Sequence, residues 1–343
     1  MKATWWWGQP VDPTVNQLRD IRRPGAPLLA GGRRRLLRAS VGALTIGAVL
    51  ALSPLASTAQ AATAPSPAAP SVSATGAVLL DEASGATVFA KTADTRRQMA
   101  STTKIMTAAV VLGVRGVDLD RQVTVKQTYR DYVAAQGAST ADLRTGDVLT
   151  VRQLLYATML PSGCDAAYAL ADTFGTGTTV AARTASFIAM MNKEAAALGL
   201  KDTEFDSFDG ISPGGDNYST PRDLAKMAEH AMENADFRTI VKTAQYTASA
   251  PAANGGVRTY TWFNTNELLG SYQGVIGIKT GSGTAAGLCL VFAATRGDKT
   301  VVGVVLNSPD RFTDAAKILD YGFGSSTAKT MRLRTLPAHA QRD

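Results

Sequence analysis

Ser101 is followed three residues later by Lys104, a pair that could supply a nucleophilic hydroxyl and its base. A helix beginning at Ser101 would place the two side chains about one turn apart on one face, with the hydroxyl at the positive end of the helix dipole. A serine becomes a nucleophile when a base takes its proton. A lysine amine can be that base where burial or neighbouring positive charge lowers its pKa. The pair alone is a weak signal, because a helix cap before a surface lysine has the same spacing.

Two further short motifs place polar groups at the ends of predicted elements. Residues 162–164 (Ser-Gly-Cys) present the Ser162 hydroxyl on a loop between two predicted helices. Residues 279–282 (Lys-Thr-Gly-Ser) end a predicted strand, where the missing Cβ of Gly281 lets a substrate backbone approach and Lys279 offers a cation for a carboxylate. Each motif alone is also typical of a helix cap or an edge-strand lysine. All three motifs in this order are much less expected by chance.

Strands that position these motifs are predicted at both ends of the folded part of the chain. Apolar runs bounded by turn residues predict strands at 76–81, 86–90, 275–279, 288–293 and 300–306. The last two are joined by a tight turn that contains glycine. Because the early and late strands are far apart in the chain, a sheet that contains them all is assembled from distant segments.

The stretch from about 116 to 250 is mostly helical in pattern. Thr150 and Thr220 are predicted N-caps, the second followed by proline at the first helical position, and a longer helix is predicted over about 180–198. Strands at both ends with helices between them predict an α/β (α+β) fold, in which an antiparallel sheet is flanked by helices and carries an inserted, mostly helical lobe. We expect the site in a cleft between lobe and sheet.

The three motifs together resemble those of the serine D-Ala-D-Ala carboxypeptidase/DD-transpeptidase family, the low-molecular-mass penicillin-binding proteins. The resemblance covers about residues 76–322 and includes residues 208–210 (Phe-Asp-Gly) and 217–224. Cys164 departs from the Ser-x-Asn of the wider family but is similar to a streptomycete branch of DD-transpeptidases. The resemblance implies a serine DD-peptidase/β-lactamase-like fold.

It also implies an acyl-serine enzyme that acts on the D-Ala-D-Ala end of peptidoglycan stem peptides, needs no cofactor and is acylated by β-lactams. D-Ala would leave by hydrolysis or by transfer of the acyl group to an amine. By resemblance, Ser101 is the nucleophile, Lys104 its general base and Ser162 the group that passes a proton to or from the leaving amine. Lys279 would bind the terminal carboxylate, and the backbone N–H groups of Ser101 and Ser282 would form the oxyanion hole. The substrate-binding residues implied in this way are Lys279, Thr280, Gly281, Ser282 and Cys164.

Residues 1–61 are typical of an export signal. Four arginines between 33 and 38 precede an apolar run over 41–55, and residues 59–61 (Ala-Gln-Ala) match a cleavage signal. The arginines also fit a twin-arginine pattern loosely. The alternative is an uncleaved signal anchor, but Pro54 interrupts the run and it is shorter than the ~20 residues that a spanning helix needs. We therefore expect an exported protein at the cell wall or the outer face of the cytoplasmic membrane, with peripheral or signal-anchored membrane association as a possibility.

The expected domain organisation is a flexible linker over 62–75, a catalytic domain over 76–323 and an irregular tail over 324–343. The predicted export signal holds eight of the 35 Lys and Arg residues but only two of the 28 Asp and Glu residues. The rest of the chain therefore carries about +1 rather than +7. It contains no basic run with interleaved aromatic residues, which argues against a nucleic-acid partner.

Two other functions have weaker support in the sequence. A class A-like β-lactamase would add a Glu-x-x-x-Asn element that activates the deacylating water, and no such pattern occurs between Ser162 and Lys279. A non-catalytic cell-wall binding protein that keeps the cleft remains an alternative. The two histidines, His230 and His339, offer neither a catalytic triad nor metal-ligand spacing.

The two cysteines, Cys164 and Cys289, could form a disulfide in an exported protein. We predict two thiols instead, because a disulfide from the second motif to the sheet would lock the lobe to the sheet across the cleft.

Overall fold

The computed structural model describes residues 68–341. Apolar residues that alternate with polar ones, or that run uninterrupted where both faces are covered, form strands at both ends of this part. The strands are β1 (Gly76–Asp81), β2 (Thr87–Lys91), β3 (Arg97–Gln98), β4 (Gln122–Thr124), β5 (Val148–Thr150), β6 (Tyr218–Ser219), β7 (Gln245–Pro251), β8 (Val257–Phe263), β9 (Val275–Gly283), β10 (Gly287–Arg296) and β11 (Lys299–Leu306).

The main sheet has the strand order β2-β1-β11-β10-β9, and every neighbouring pair is antiparallel. At its centre, β1 pairs with β11 from Gly76 opposite Leu306 to Asp81 opposite Val301. The predicted antiparallel sheet built from distant segments is therefore confirmed. The edge strand β9 carries the third motif.

Seven α-helices lie between β2 and β9. Their starts follow the predicted capping chemistry: the Thr150 side chain accepts from the backbone N–H of Gln153 in a capping box, and Thr220 caps the helix that begins at Pro221. The helices are α1 (Lys104–Gly113), α2 (Gln127–Gln136), α3 (Val151–Met159), α4 (Cys164–Phe174), α5 (Val180–Ala197), α6 (Pro221–Met232), α7 (Ala235–Lys242) and α8 (Arg311–Phe323), with 3-10 turns at Ala100–Thr103 and Thr327–Lys329.

The sheet separates two hydrophobic clusters, because successive strand residues point to opposite faces. Val78 of β1 belongs to the larger cluster, which includes buried residues of α1 and α3 to α7, whereas its neighbour Leu79 belongs to the smaller cluster with Ile318 of α8. The helical lobe therefore packs on one face of the sheet and α8 on the other.

Both ends of the described chain pack more closely than their composition indicates. In the expected linker, Val72 and Ala74 are buried, and Ser73 donates to the carboxylate of Asp314 in α8 through its backbone N–H (2.9 Å) and its hydroxyl (2.7 Å). In the expected tail, Leu336 is buried against Phe263. A buried carboxylate and an apolar patch at the end of β8 thus order segments that have no periodicity of their own.

Among residues 68–341, no helix is both long and apolar enough to cross a membrane. The predicted export signal lies outside the described residues.

Candidate active site

Ser101 lies in the 3-10 turn Ala100–Thr103, and Lys104 is the first residue of α1. The helix predicted to begin near Ser101 thus begins as a 3-10 turn and becomes α-helical at Lys104. Ala100 has a φ of 47°, and a Cβ at Gly210 would lie 2.0 Å from the Ala100 carbonyl oxygen. The close approach of another segment thus sets the conformation of the turn, and the predicted juxtaposition of the two side chains is still reached.

The Lys104 amine is fully buried and has three acceptors around it. Its Nζ lies 2.9 Å from Ser101 Oγ, 2.9 Å from the backbone oxygen of Asp209 and 3.3 Å from Cys164 Sγ. An uncharged amine in this position has a lone pair within hydrogen-bond distance of the Ser101 hydroxyl. The arrangement can therefore remove the proton from a serine nucleophile.

Ser162 lies on the loop between α3 and α4 in a strained conformation. Its φ of 66° is in the left-handed region that non-glycine residues rarely adopt. Its Oγ is buried and has no hydrogen-bond partner among the described residues. A buried hydroxyl without a partner and a strained backbone are both costly, and such features concentrate at functional sites.

Lys279 and Thr280 lie in β9, the edge strand of the main sheet, and both are buried. Lys279 Nζ donates to the backbone oxygen of Thr280 at 2.9 Å. A Cβ at Gly281 would lie 3.1 Å from the backbone nitrogens of Ser101 and Thr102, so glycine is what lets β9 approach the nucleophile turn. The outer edge of β9 can pair with an extended substrate backbone, as sheet edges do with peptides. Ser282 follows on the same strand and is half-buried.

Cys164, the first residue of α4, faces the same buried space. Burial, opposed by the charge of Lys104 and supported by the negative charge of Asp209, raises the pKa of its thiol to about 12. The thiol is therefore protonated at neutral pH. Cys289 donates its S–H towards the Ala286 carbonyl oxygen at 3.4 Å, and both cysteines are buried thiols, as predicted.

The three motifs converge, but the sequence missed residues that connect them. Asp209 contacts Lys104, and the only signal for it was the Phe-Asp-Gly stretch of the family resemblance. Thr265 donates its N–H to Leu160 of the second-motif loop at 3.1 Å, and its hydroxyl lies 2.5 Å from that of Thr280. No spacing in the sequence distinguishes Thr265 from any other loop threonine.

Within residues 68–341, no group of three or more His, Cys, Asp and Glu side chains could hold a metal ion.

Comparisons with known proteins match this chain to one enzyme family. The family model described as D-alanyl-D-alanine carboxypeptidase (peptidase S11) matches residues 61–310. The chain is 55% identical over 293 residues to a D-alanyl-D-alanine carboxypeptidase of Streptomyces sp. (strain K15), which covers 84% of this chain and 99% of that protein. It is 36% identical to D-alanyl-D-alanine carboxypeptidase DacC of Escherichia coli over 74% of this chain and 62% of that protein.

Solved structures agree with the sequence matches. The crystal structure of the Streptomyces K15 DD-transpeptidase is 57% identical, with a TM-score of 0.74 over 75% of this chain and 100% of that one. Penicillin-binding protein D2 of Listeria monocytogenes in its ampicillin-bound form is 27% identical, with a TM-score of 0.60 over the same share of each chain. The chain therefore belongs to the D-alanyl-D-alanine carboxypeptidase family, peptidase S11.

Proposed function

We infer that this protein is an acyl-serine DD-peptidase that acts on the D-Ala-D-Ala end of peptidoglycan stem peptides and is covalently acylated by penicillins. The observation that carries this inference is the 2.9 Å hydrogen bond between Lys104 Nζ and Ser101 Oγ in a buried site. The family match and the ampicillin-bound Listeria relative support the substrate class and the reaction with β-lactams.

In the first half-reaction, Ser101 Oγ attacks the carbonyl carbon of the D-Ala-D-Ala peptide bond while its proton passes to the uncharged Lys104 amine. The oxyanion that forms is held by the backbone N–H groups of Ser101 and Ser282, and a single donor of this kind is worth about 3–4 kcal/mol in other acyl-transfer enzymes. The C–N bond then breaks. The leaving D-Ala amine takes a proton through Ser162, which leaves an ester on Ser101.

Substrate binding is assigned to the edge strand β9 and its motif. Lys279 binds the terminal carboxylate, while Thr280, Gly281 and Ser282 line the strand along which the peptide extends. The burial of Lys279 in β9 and the close approach of Gly281 to the nucleophile turn support these roles. Cys164 lines the same space as a protonated thiol, which is a weak donor and a weak acceptor towards a substrate amide.

The second half-reaction depends on the acceptor. Water gives a carboxypeptidase and free acid, whereas an amine gives a transpeptidase and a new amide, and the same residues serve both. A relative named as a carboxypeptidase and a structure named as a DD-transpeptidase both match this chain, so we propose that both acceptors react.

Product analysis with a diacyl-D-Ala-D-Ala peptide, with and without a glycine-type amine, tests this proposal. Release of D-Ala and appearance of the amide product are expected. Absence of D-Ala release with either acceptor would overturn the proposed function. Slow release of bound penicillin separates a DD-peptidase from a β-lactamase, which would release it rapidly.

We also propose that the mature protein works outside the cytoplasm, at the wall or the outer face of the membrane, because that is where its substrate lies. N-terminal sequencing of protein recovered from the culture medium and the cell envelope tests this. A mature N-terminus near residue 62 supports a cleaved export signal, and a product that begins at residue 1 in the envelope supports a signal anchor.

A further inference from the structure

A tight turn that ends in Asp209 and Gly210 lies directly against the nucleophile. Asp209 is fully buried, and its backbone oxygen is one of the three acceptors around Lys104 Nζ, at 2.9 Å. The turn is held by the Ser207 hydroxyl, which accepts from the Gly210 N–H at 3.0 Å. Thr107 of α1 donates to the carbonyl oxygen of Phe208 at 2.5 Å. The position of the Asp209 carbonyl oxygen therefore affects the position of the Lys104 amine.

The carboxylate of the same residue makes its own contacts. One oxygen accepts from the Tyr132 hydroxyl of α2 at 2.9 Å, and the other accepts from the Ile211 N–H at 3.0 Å. The negative charge of this carboxylate is one of the causes that raise the pKa of the Cys164 thiol. Asp209 thus contacts Lys104 through its backbone oxygen, and Cys164 Sγ lies 3.3 Å from the same amine.

We propose that Asp209 is a positioning residue for Lys104, anchored by Tyr132 and acting on the amine through its backbone carbonyl. This inference rests on the proposed function, in which Lys104 is the base. A buried carboxylate is costly unless its oxygens are hydrogen-bonded. Here the Tyr132 hydroxyl and the Ile211 N–H each bind one oxygen, so they hold the residue whose carbonyl accepts from the Lys104 amine.

A purely structural aspartate and a positioning one differ in their effect on the pH profile of acylation. The acid limb of that profile reports loss of the uncharged base. A nearby carboxylate favours the charged amine, so removal of its charge moves the acid limb to lower pH.

The other titratable groups that face Lys104 and Asp209 do not change their charge between pH 5 and pH 9. They are Cys164 of α4, Tyr132 of α2 and its ring neighbour Tyr168, and the pKa of each is raised, with burial as the first cause. Lys279 adds a cation from β9, the strand that packs against the nucleophile turn. Its charge is present in wild type and variant alike.

The experiment measures the second-order rate of acylation by a fluorescent penicillin from pH 5 to pH 9 for wild type, Asp209→Asn, Tyr132→Phe and Asp314→Asn. Asp314→Asn is the matched control: its carboxylate is also buried and accepts from Ser73, Ala74 and Ser308, but it lies on α8 across the sheet.

For Asp209→Asn, the plateau rate should fall about tenfold, since a small misplacement of a reacting group is enough for that. Its acid limb should move to lower pH. Tyr132→Phe keeps the charge of Asp209 but removes the hydroxyl that binds its carboxylate. Its plateau rate of acylation should therefore fall about threefold, while the acid limb stays at the wild-type pH. Asp314→Asn should lower the melting temperature and leave the profile unchanged.

A folded Asp209→Asn variant with the wild-type plateau and limb would overturn the inference. If that variant does not fold, an unchanged plateau in Tyr132→Phe overturns it instead. Wild-type protein that is not acylated at all would refute the proposed function itself, which is a separate result.

Discussion

At the scale of single residues, the site contains two buried lysines. Lys104 is fully buried and Lys279 is 1% exposed. Burying an ammonium costs several kcal/mol unless charges or hydrogen bonds compensate, so a fully buried lysine is rare and indicates a functional role. Their different partners divide the work: Lys104 contacts the serine hydroxyl, whereas Lys279 lies on the strand that would hold the end of the substrate.

Lys279→Ala should therefore weaken reaction with substrates that carry a free terminal carboxylate far more than reaction with neutral analogues. A charge-assisted hydrogen bond in a partly desolvated cleft contributes about 1.5–3 kcal/mol, or roughly 10- to 150-fold in kcat/KM. The measurement compares kcat/KM for a D-Ala-D-Ala peptide and its C-terminal amide.

Lys299→Ala provides the control, because Lys299 also lies in the main sheet and donates to a backbone carbonyl, that of Gly322. It should leave both rates unchanged. Equal losses for the acid and the amide in Lys279→Ala would contradict the assignment.

The sequence predicts some residues of the site and misses others. Ser101, Lys104, Ser162 and Lys279 were found because their chemistry needs fixed spacings next to element ends. Asp209 and Thr265 were not, because a loop aspartate or threonine acquires its role only when distant segments fold against it. The strained backbone of Ser162 is likewise a tertiary effect that no local propensity encodes.

At the scale of elements, the Ala100–Thr103 turn is confined between two other segments. Gly210 lies against the Ala100 carbonyl, and Gly281 lies against the Ser101 N–H. The strands were predictable because β-branched and apolar runs bounded by turn residues identify them. The 3-10 turn was not, because these close approaches, rather than helix propensity, determine how α1 begins.

Gly210→Ala should consequently destabilise the protein by roughly 3 kcal/mol and reduce acylation by at least tenfold. Its Cβ would lie 2.0 Å from a backbone oxygen, far inside van der Waals contact, and the residue has a φ of +97°. Urea unfolding and penicillin acylation measure the two effects.

Gly116→Ala is the control variant, since Gly116 has a φ of +67° with no heavy atom within 4 Å of an added Cβ. It should cost about 1–2 kcal/mol for the left-handed conformation and leave acylation intact. If the two variants behave alike, the close approach at Gly210 does not shape the nucleophile turn.

At the scale of the whole molecule, two hydrophobic clusters on opposite faces of one sheet provide the rigid frame for the site. The larger cluster joins the helical lobe to the sheet, so the elements that carry all three motifs share one core. Inside this frame, Glu229 of α6 is an exception. Burial, and then the charge of Glu82, raise its pKa to about 7 from the ordinary value of 4.5.

Glu229→Gln should therefore stabilise the protein at pH 8 more than at pH 4.5. A carboxyl whose pKa is raised in the folded state contributes its stability below pH 4.5 and loses it as the pH rises through about 7. The free energy of unfolding in urea at the two pH values measures this. A Glu229→Gln benefit that is equal at both pH values would contradict the raised pKa.

We propose that Ser101, activated by Lys104, is the residue that becomes acylated. Intact-mass and peptide mass spectrometry after reaction with a penicillin test it most directly, on wild type, Ser101→Ala and Lys104→Ala. One adduct per chain on the Ser101 peptide of wild type is expected, with none in folded Ser101→Ala and little or none in Lys104→Ala. An adduct on any other residue, or the same adduct in Ser101→Ala, would contradict the claim.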